Sequence, residues 1–583
     1  MFAEHKNSSN IRQLIVYLIS VGLLFYVFTS YAESINLEPI TIQKGHFDLN
    51  REIVAEDVPC FSPEEIIDYS SSINLCQRAP FGVQQDVSLR GSGFEDVLVD
   101  LEGIKMNNPQ TGHYSLELPL TSADLDSVEL FNNAQRVNFQ IKEPEGKGGL
   151  FKTTFGEHSL WGELLSFNFL LNDVKNRLSI EHNSSSGARQ DTDFNNYKFS
   201  FHSLWMRDIN KIEFFFGSAE KKFGADSFYS ESYSQEEERT SQRFFLFKTA
   251  TETDDVKWEN TFYFKRHSDK FILNRHDPSF YTNFHTTYVY GVKSKLNFYR
   301  DWFCSLGLEE EKITSTNLNS HQRFKKGLCL GIDEKRIGDF FIKFQAGADN
   351  YGQWDNLYQG ESKIGYFIKD NLKVHFSVDR IWRVPSFTEL YYTSPVNNGN
   401  ESLKAQKTNN FETGVNFSQD SYQLLLNLFF RDQESTIDWV KEMLFDPWQA
   451  ENIGSLQVYG FDFYAENRFP DFWLERISIG YTYLDFGRKN KYDFSKSVFE
   501  YNRHKLVNSI YFNVKEFKIN VITKFCNPVD RASYVVSDLK VEKKFHNFTI
   551  SLEGMNIFNQ DYQEMKGVES AGRWYKISVA YTF

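Results

Sequence analysis

The sequence has few cysteines, and their arrangement does not match a metal site. Five cysteines occur in 583 residues. They form no CxxC pair and no cluster with histidine, so the sequence predicts no metal ion. Cys60 and Cys76 are close in sequence, as are Cys304 and Cys329, and Cys526 is left over. Either pair forms a disulfide only if the fold brings its Cα atoms within about 7 Å, which spacing alone leaves open.

The sequence also lacks net positive charge and the common catalytic motifs. Its 64 lysines and arginines are outnumbered by 78 aspartates and glutamates, which gives a net charge of −14. A protein that binds nucleic acid needs a basic surface, so nucleic acid is not an expected partner. We find no nucleophile elbow, no phosphate-binding loop and no HExxH motif. The sequence therefore predicts neither an enzyme nor a bound cofactor.

Long hydrophobic runs are absent after the first 30 residues. Lys6 and Arg12 stand at the start of an apolar segment, and Ser30-Tyr31-Ala32 supplies small residues after it. We interpret residues 1–32 as a signal peptide that is cleaved after Ala32. An uncleaved anchor is the alternative, because the run is close to the ~18 residues that span a membrane. No comparable run follows, so any crossing by the mature chain must use strands.

Aromatic side chains, in contrast, are abundant. They make up 17% of the chain, with 57 Phe and 30 Tyr, yet the mean hydropathy is −0.48. A transmembrane β-barrel explains both values, because alternate residues of each strand face lipid and a polar lumen. Segments 197–205, 423–430 and 548–554 show this alternation.

A change of pattern near 146–149 divides the mature chain. Residues 33–52 form a short N-terminal segment. Residues 53–146 read as a small α+β domain that begins with a short helix capped by Ser62. Residues 147–583 alternate throughout. At roughly 20 residues per strand and connection they provide about 22 antiparallel strands, and barrels of that size are plugged rather than open.

Several short motifs follow one another in a fixed order. They are DVSLRG at 86–91, NNPQTGH at 107–113, RVPSFTELY at 383–391, NIFNQDY at 556–562 and ISVAYTF at 577–583. In this order they resemble the plug and barrel of TonB-dependent outer-membrane receptors of the cobalamin and siderophore type. The resemblance implies an all-β transmembrane barrel with an α+β plug domain in its lumen. It also implies residence in the outer membrane and energy supplied by TonB with ExbB and ExbD.

One part of the plug departs from the family pattern. After Val128 and Glu129 the family usually continues with a glycine-rich stretch, whereas this chain reads FNNAQRVNF at 131–139. Roughly ten residues are missing, together with the glycines that permit a tight turn near the barrel wall. The sequence therefore predicts a shortened plug, and whether such a plug still gates transport stays open.

The resemblance places a TonB box in the periplasmic segment near the mature N-terminus. The candidate residues are Glu38, Pro39, Ile40, Thr41, Ile42 and Gln43. Ile40 and Ile42 share one side of an extended segment that can pair as an added strand with TonB. Pro39 donates no backbone hydrogen bond and marks the start of the segment. An unstructured linker is the alternative.

The resemblance also implies residues that touch ligand and residues that hold the plug. The candidate ligand-binding residues are Phe81, Gln84, Asn107, Gln110 and His113. For each of them, a turn residue that packs the plug in the barrel is the alternative. Arg78, Arg90 and Glu102 are expected to make polar contacts between plug and barrel.

Two polar clusters invite a metal interpretation. His267, His276 and His285 recur within one segment, and neutral imidazole is a common ligand of metals and haem. We expect them instead to be solvated loop residues. Residues 236–238, three successive glutamates, are likewise expected to form a loop charge cluster, with Ca²⁺ binding as the alternative.

These expectations favour a monomeric receptor that imports a scarce large nutrient, such as a ferric siderophore, cobalamin or haem. Its expected partners are TonB with ExbB and ExbD, the nutrient and outer-membrane lipids. A passive or receptor-only barrel with a degenerate plug is the second hypothesis. An outer-membrane enzyme such as a lipase barrel is the third, and the plug motifs argue against it because such barrels are smaller and lack a plug.

Overall fold

The computed structural model describes residues 51–583, except for 55–57, 227, 229–232, 300, 444, 471, 490–493 and 497–500. The predicted signal peptide and the candidate TonB box lie outside the described residues. Within the described ranges, no helix has both the length and the apolar content needed to cross a membrane.

A small domain, which we call the plug, comes first along the described chain. Its strands are β1 (Arg51–Val54), β2 (Ile73–Ala79), β3 (Gln84–Leu89), β4 (Leu98–Leu101), β5 (Ile104–Lys105), β6 (Leu125–Phe131) and β7 (Arg136–Ile141). One sheet has the order β1-β6-β7-β4-β5, and β2 pairs with β3. Two 3₁₀ helices, Pro63–Tyr69 and Gly112–Tyr114, complete the domain. The helix predicted after Ser62 is thus confirmed, in the tighter 3₁₀ form.

Long antiparallel strands make up the rest of the chain. They begin with β8 (Gly148–Gly156), β9 (Leu160–Leu171), β10 (Val174–Ser185), β11 (Phe194–Arg207), β12 (Asn210–Gly224), β13 (Glu237–Glu252), β14 (Val256–Ile272), β15 (Thr282–Phe298), β16 (Trp302–Ser315), β17 (Asn319–Ile337), β18 (Phe340–Asn350), β19 (Leu357–Lys369) and β20 (Leu372–Arg383). After helix α1 (Phe387–Tyr391) come β21 (Asn397–Asn398), β22 (Gln406–Gln419), β23 (Tyr422–Glu434), β24 (Ile437–Lys441), β25 (Trp448–Asn452), β26 (Ser455–Arg468), β27 (Leu474–Lys489), β28 (Phe494–Ser495), β29 (Asn502–Val514), β30 (Phe517–Pro528), β31 (Tyr534–Phe545), β32 (Phe548–Met555) and β33 (Trp574–Thr582).

Twenty-two of these strands close into one barrel, as the sequence predicts. The last strand, β33, pairs with the first, β8, and the amide of Gly149 donates to the carbonyl of Phe583 at 2.8 Å. Because the barrel is closed, no strand has an edge with unpaired backbone N–H and C=O groups. Such groups would be energetically costly in lipid.

The strands alternate between the lumen and the outer surface of the barrel. Along β9, Leu164 and Ser166 are buried toward the lumen, whereas the flanking Leu165 and Phe167 are 45% and 43% exposed. This period of two is the reason that a chain rich in aromatics has an unremarkable mean hydropathy.

The two ends of the barrel differ in the length of their connections. Short turns join the strands at one end, which we call the turn end, at 172–173, 208–209, 370–371 and 546–547. Longer connections lie at the other end, the loop end, at 384–405, 435–454 and 556–573. Three loop-end connections contribute to a small sheet of order β21-β25-β24-β28, which we call the lid sheet.

The plug lies in the lumen, and its apolar core continues onto one side of the wall. Val99, Val137 and Phe139 of the plug are fully buried in the same cluster as Phe215 of β12 and Phe244 of β13. Elsewhere the wall presents polar side chains to the plug, because the lumen-facing positions of a barrel are largely polar.

The cysteines are all free in this structure. Cys304 and Cys329 lie on β16 and β17, with side chains on opposite faces of the barrel wall, so this pair forms no disulfide. The Cys60 thiol is enclosed by the plug and the wall. Burial, followed by the negative charge of Glu65, raises the pKa of Cys60 to about 12, so the thiol stays protonated and unreactive.

Candidate functional site

The plug segment 107–113, which we call the apex, is held in place at its start by one asparagine. Asn107 accepts a hydrogen bond from the amide of Val99 at 2.9 Å and donates to the carbonyl of Val97 at 2.7 Å. Its amide also donates to the Ser115 hydroxyl at 3.2 Å. One side chain thus fixes the start of the 107–113 segment to a core strand of the plug.

The apex is bonded in turn to a loop at the loop end. The amides of Phe387 and Thr388, in the first turn of α1, donate to the carbonyls of Pro109 and Gln110 at 2.8 and 3.0 Å. The first amides of a helix have no partner within the helix. Here the plug supplies acceptors to two of them, so plug and loop complete each other's hydrogen bonding.

Arg383 strengthens this link. Its Nε lies 2.9 Å from Oδ1 of Asp96 in the plug, and its Nη1 donates to Glu389 of α1 at 2.8 Å. Glu389 also accepts from the amide of Ser386 at 2.7 Å, which fixes the start of the helix. A single guanidinium therefore joins plug, barrel strand and loop.

Glu95 lies half-buried beside this link. Its carboxylate accepts from the Thr111 hydroxyl at 3.2 Å. Burial, and then the charge of Glu389, raise the pKa of Glu95 to about 7. The docked plug and loop therefore favour the protonated form of Glu95.

A buried arginine joins the plug to β22 and β26 of the wall. Arg90 donates to Glu412 of β22 at 2.6 Å and to Asp462 of β26 at 2.7 Å. Its guanidinium carbon lies 4.2 Å from the ring centre of Phe429, and Arg431 donates to the carbonyl of Arg90 at 3.1 Å. We call Arg90, Glu412 and Asp462 the Arg90 clamp.

The other two predicted contact residues differ in their partners. Glu102 lies 2.8 Å from the Lys248 ammonium of β13. Arg78 mainly contacts Asp86 of the plug at 3.0 Å, and its Nη2 lies 3.4 Å from the Met565 sulfur of a loop-end connection. Burial alone would raise the pKa of Asp86, but the charges of His113 and Arg78 outweigh it, so the pKa of Asp86 lies below its usual range.

Several further ion pairs join plug and barrel, and sequence analysis does not identify them. They are Asp68 with Lys505 and Lys524 at 2.9 and 2.6 Å, Glu64 with Lys198 at 2.9 Å, and Asp124 with Arg177 at 3.0 Å. Each pairs a plug acid with a barrel base. Only the excess of acids along residues 64–124 hints at them, because the bases lie far away in sequence.

The five candidate ligand residues are buried or half-buried in the plug. Phe81 packs on Phe61 with a centroid distance of 4.9 Å. Gln84, Asn107 and Gln110 are buried, whereas His113 is half-buried and stacks on Phe94 at 4.4 Å. A ligand contact at any of them stays a prediction.

The predictions for the other polar clusters were wrong except for His276. His267 and His285 are not loop residues but lie on β14 and β15, buried toward the lumen, where His267 bonds to Glu117 at 3.0 Å. His276 does lie exposed in a connection. Residues 236–238 are buried at the start of β13, and Glu238 accepts from the Tyr114 hydroxyl at 2.5 Å. His267 and Glu238 thus contact the plug residues Glu117 and Tyr114 from lumen-facing positions of β14 and β13.

The lid sheet carries cations stacked on aromatic rings. The Lys441 ammonium lies 4.6 Å from the ring centre of Trp448. The Lys496 ammonium lies 5.1 Å from Trp448 and 5.6 Å from Trp439. We call these four residues the lid cluster. Its mixture of positive charge and indole faces suits an anionic, aromatic ligand.

Comparison with known proteins decides the family. The family profile described as "TonB dependent receptor-like, beta-barrel" matches residues 146–559, which is more than two thirds of the chain. The chain belongs to the TonB-dependent receptors. No curated protein matches it in sequence.

Solved receptors and transporters share the fold of this TonB-dependent receptor. A ferric enterobactin receptor mutant from Pseudomonas aeruginosa gives a TM-score of 0.74 at 13% identity, over 92% of this chain and 99% of that chain. The siderophore receptor PirA from Acinetobacter baumannii gives 0.74 at 13% identity, over 92% and 98%. The copper transporter OprC gives 0.75 at 12% identity, over 92% and 99%. At such low identity these likenesses establish the fold alone.

Family and fold are those of receptors and transporters rather than enzymes. They place this TonB-dependent receptor in the outer membrane. In such barrels the short turns face the periplasm and the longer loops face outward. The lid cluster and the bonded apex therefore lie on the extracellular side.

Removing Arg90 should loosen the plug. In the Arg90→Ala variant, Glu412 and Asp462 remain buried without their cation, which costs about 3–5 kcal/mol. We expect the plug to leave the lumen at a lower urea concentration, measured as ion conductance of the receptor in a planar bilayer.

The Arg136→Ala variant is the matched control, because the one ion pair of Arg136 among the described residues joins it to Asp100 of the plug itself at 3.4 Å, and its side chain is 45% exposed. It should open at the urea concentration of the wild type. Equal opening of all three proteins would show that the Arg90 clamp does not hold the plug.

Docking of the apex should weaken as pH rises from about 4.5 to about 7. Over this range an undocked Glu95 is largely deprotonated, whereas the docked residue keeps its proton. Docking therefore takes up a proton, and this becomes less favourable as pH rises. Glu95→Gln, which is neutral at every pH, should remove this dependence. Amide exchange at Phe387 and Thr388 measures the docking, and comparison of variants at equal pH cancels the intrinsic change in exchange rate.

Asp126→Asn, which neutralises an exposed carboxylate of the plug, should behave as the wild type. If wild type and Glu95→Gln exchange alike at both pH 5 and pH 8, Glu95 has no part in docking.

Proposed function

We propose that this receptor imports a scarce large nutrient across the outer membrane with energy supplied by TonB. The observation that carries the proposal is the direct bonding of the plug apex to an extracellular loop through Phe387, Thr388 and Arg383. A ligand that moves this loop also changes the contacts of the plug. Such a link between an outer surface and an internal obstruction is what a gated importer requires.

Among ferric siderophores, cobalamin and haem, the lid cluster favours a ferric siderophore. Catecholate chelates of iron are anionic and aromatic, which matches two ammonium groups stacked on indole rings. We infer that such a ligand first meets Lys441 and Lys496. It then reaches the plug, where Phe81, Gln84, Asn107, Gln110 and His113 are the candidate contacts.

The proposal assigns a role to each part of the chain. Residues 1–32 are the signal peptide, 33–52 carry the TonB box, 53–146 are the plug and 147–583 the barrel. TonB adds a strand to the segment 38–43 and pulls, with ExbB and ExbD coupling the pull to the inner-membrane proton gradient. Arg78, Arg90 and Glu102 hold the plug until then, in a receptor that works as a monomer among outer-membrane lipids.

A receptor that binds but does not transport is the second candidate. The four-residue turn at 132–135 between β6 and β7 favours it, because the family usually has a longer glycine-rich segment there. Asn133 of this turn donates to Asp379 and, at 3.1 Å, to Ser377 of β20. The shortened plug therefore still reaches the wall.

Deletion of residues 38–43 separates the two candidates. An importer should lose uptake of a radiolabelled ferric siderophore in whole cells and keep surface binding, because only the energy supply is cut. Uptake unchanged by the deletion would contradict the TonB-driven importer and favour passive entry.

Titration of the purified receptor should identify the ligand through quenching of its ten tryptophans. We expect saturable quenching by a ferric catecholate, and about tenfold weaker binding for each of Lys441→Gln and Lys496→Gln, which corresponds to about 1.4 kcal/mol. Lys515→Gln and Lys518→Gln, at the turn end, are the controls and should bind normally. Equal affinity in all variants would rule out the lid cluster as the ligand site.

A further inference from the structure

A patch of positive charge lies on the outer surface of the barrel, away from the plug. It consists of Lys222 on β12, Arg239 and Arg243 on β13, and Arg266 and Lys270 on β14, and we call it the cationic patch. The strand register aligns these residues in two rows. Lys222, Arg239 and Lys270 are direct neighbours across three strands, and Arg243 faces Arg266.

The cationic patch begins where the apolar surface of the barrel ends. The two cross-strand rows nearer the turn end consist mainly of aromatic residues, among them Phe216, Phe245, Phe264 and Tyr290. Arg266 follows Val256 by ten residues along β14. At about 3.3 Å per residue and a tilt of about 40°, this distance matches the apolar band of about 25 Å.

The patch therefore lies at the height of the lipid headgroups on the extracellular side. Lys270 is four residues beyond Arg266, or about 10 Å further out at the same tilt. That depth is where charged headgroups, rather than acyl chains, surround a barrel.

The positive charge of the patch is only partly balanced. Glu237 contacts Arg239 at 2.7 Å and Lys222 at 3.7 Å, and Glu220 approaches Arg243 at 4.0 Å. Arg266 and Lys270 pair with no carboxylate among the described residues, and the ammonium of Lys270 lies 5.2 Å from the ring centre of Phe284. Five cations thus face two acids.

The cations surround a depression rather than a flat surface. It has a volume of about 550 Å³, and its lining includes the cations Lys222, Arg239, Arg266 and Lys270 and the aromatic rings of Phe284 and Tyr197. The carboxylates of Glu220 and of buried Asp269 also line it. Arginine binds phosphate through two parallel N–H groups, and lysine binds it as a point charge. Cationic side chains next to aromatic rings suit a phosphate that is attached to an apolar body.

We propose that the cationic patch binds the phosphate groups of an outer-leaflet lipid headgroup. Clusters of lysine and arginine at a membrane surface bind anionic lipids in this way. The patch faces the bilayer and not the aqueous loops, so a lipid reaches it by lateral diffusion. A soluble phosphate has no apolar part to place against the aromatic rows below. This site is independent of transport and of the proposed nutrient.

Native mass spectrometry of the full-length receptor tests the proposal. The probe is diphosphoryl lipid A, a glycolipid with two phosphates, added to the detergent-solubilised protein. We expect the wild type to retain one lipid. The triple variant Arg239→Gln/Arg266→Gln/Lys270→Gln should bind it at least about tenfold more weakly, since charge-assisted contacts with phosphate are removed.

The control variant Lys515→Gln/Lys518→Gln/Lys544→Gln removes the same charge from exposed residues at the turn end and should bind as the wild type. Dephosphorylated lipid A should bind weakly to all three proteins. The proposal is overturned if the patch variant retains the lipid as well as the wild type, or if the dephosphorylated lipid binds equally. It is also overturned if millimolar inorganic phosphate displaces the lipid completely, because the site would then accept soluble phosphate.

Discussion

The structure depends on how a separate domain is held inside a polar lumen. A barrel wall presents alternate residues to lipid and to the lumen, so much of what faces the plug is polar. The plug is held mainly by buried charge pairs, of which the Arg90 clamp reaches two wall strands with one guanidinium. Buried ion pairs add little net stability, because desolvation offsets their attraction. Their defined geometry nevertheless fixes the position of the plug relative to the wall. Water can replace such contacts, and the strand pairing that closes the barrel does not depend on them.

The extracellular side is connected to this system of contacts by a short path. The lid sheet joins three loop-end connections, one of which contains α1. The first turn of α1 is bonded to Pro109 and Gln110 of the plug, and Asn107 ties that segment to the plug core. The lid cluster is thus connected to the plug core through the pairing of β25 with β21, the first turn of α1 and Asn107. Half-buried Glu95 lies beside this path, and burial and the charge of Glu389 raise its pKa to about 7.

The sequence predicted the architecture well and the contacts poorly, for physical reasons. Period-two alternation is local, so it identified the barrel and about 22 strands. The partners of a plug residue are not local: Arg90 and Asp462 are 372 residues apart. Buried polar residues on a lumen-facing strand resemble loop residues in sequence, which is why His267 and His285 were assigned to a loop. The lid sheet was missed because its strands are as short as two residues, as in β21, and come from separate connections.

A reversible lock between plug and wall tests the central claim most directly. The hydroxyls of Ser71 in the plug and Thr482 on β27 are 3.1 Å apart, so Ser71→Cys/Thr482→Cys places two sulfurs within reach of a disulfide, in a background without the five native cysteines. Uptake of a ferric siderophore should stop when the lock is oxidised, surface binding should persist, and a reductant should restore uptake. Undiminished uptake by the fully oxidised receptor would contradict the account, because the plug would not need to leave the wall.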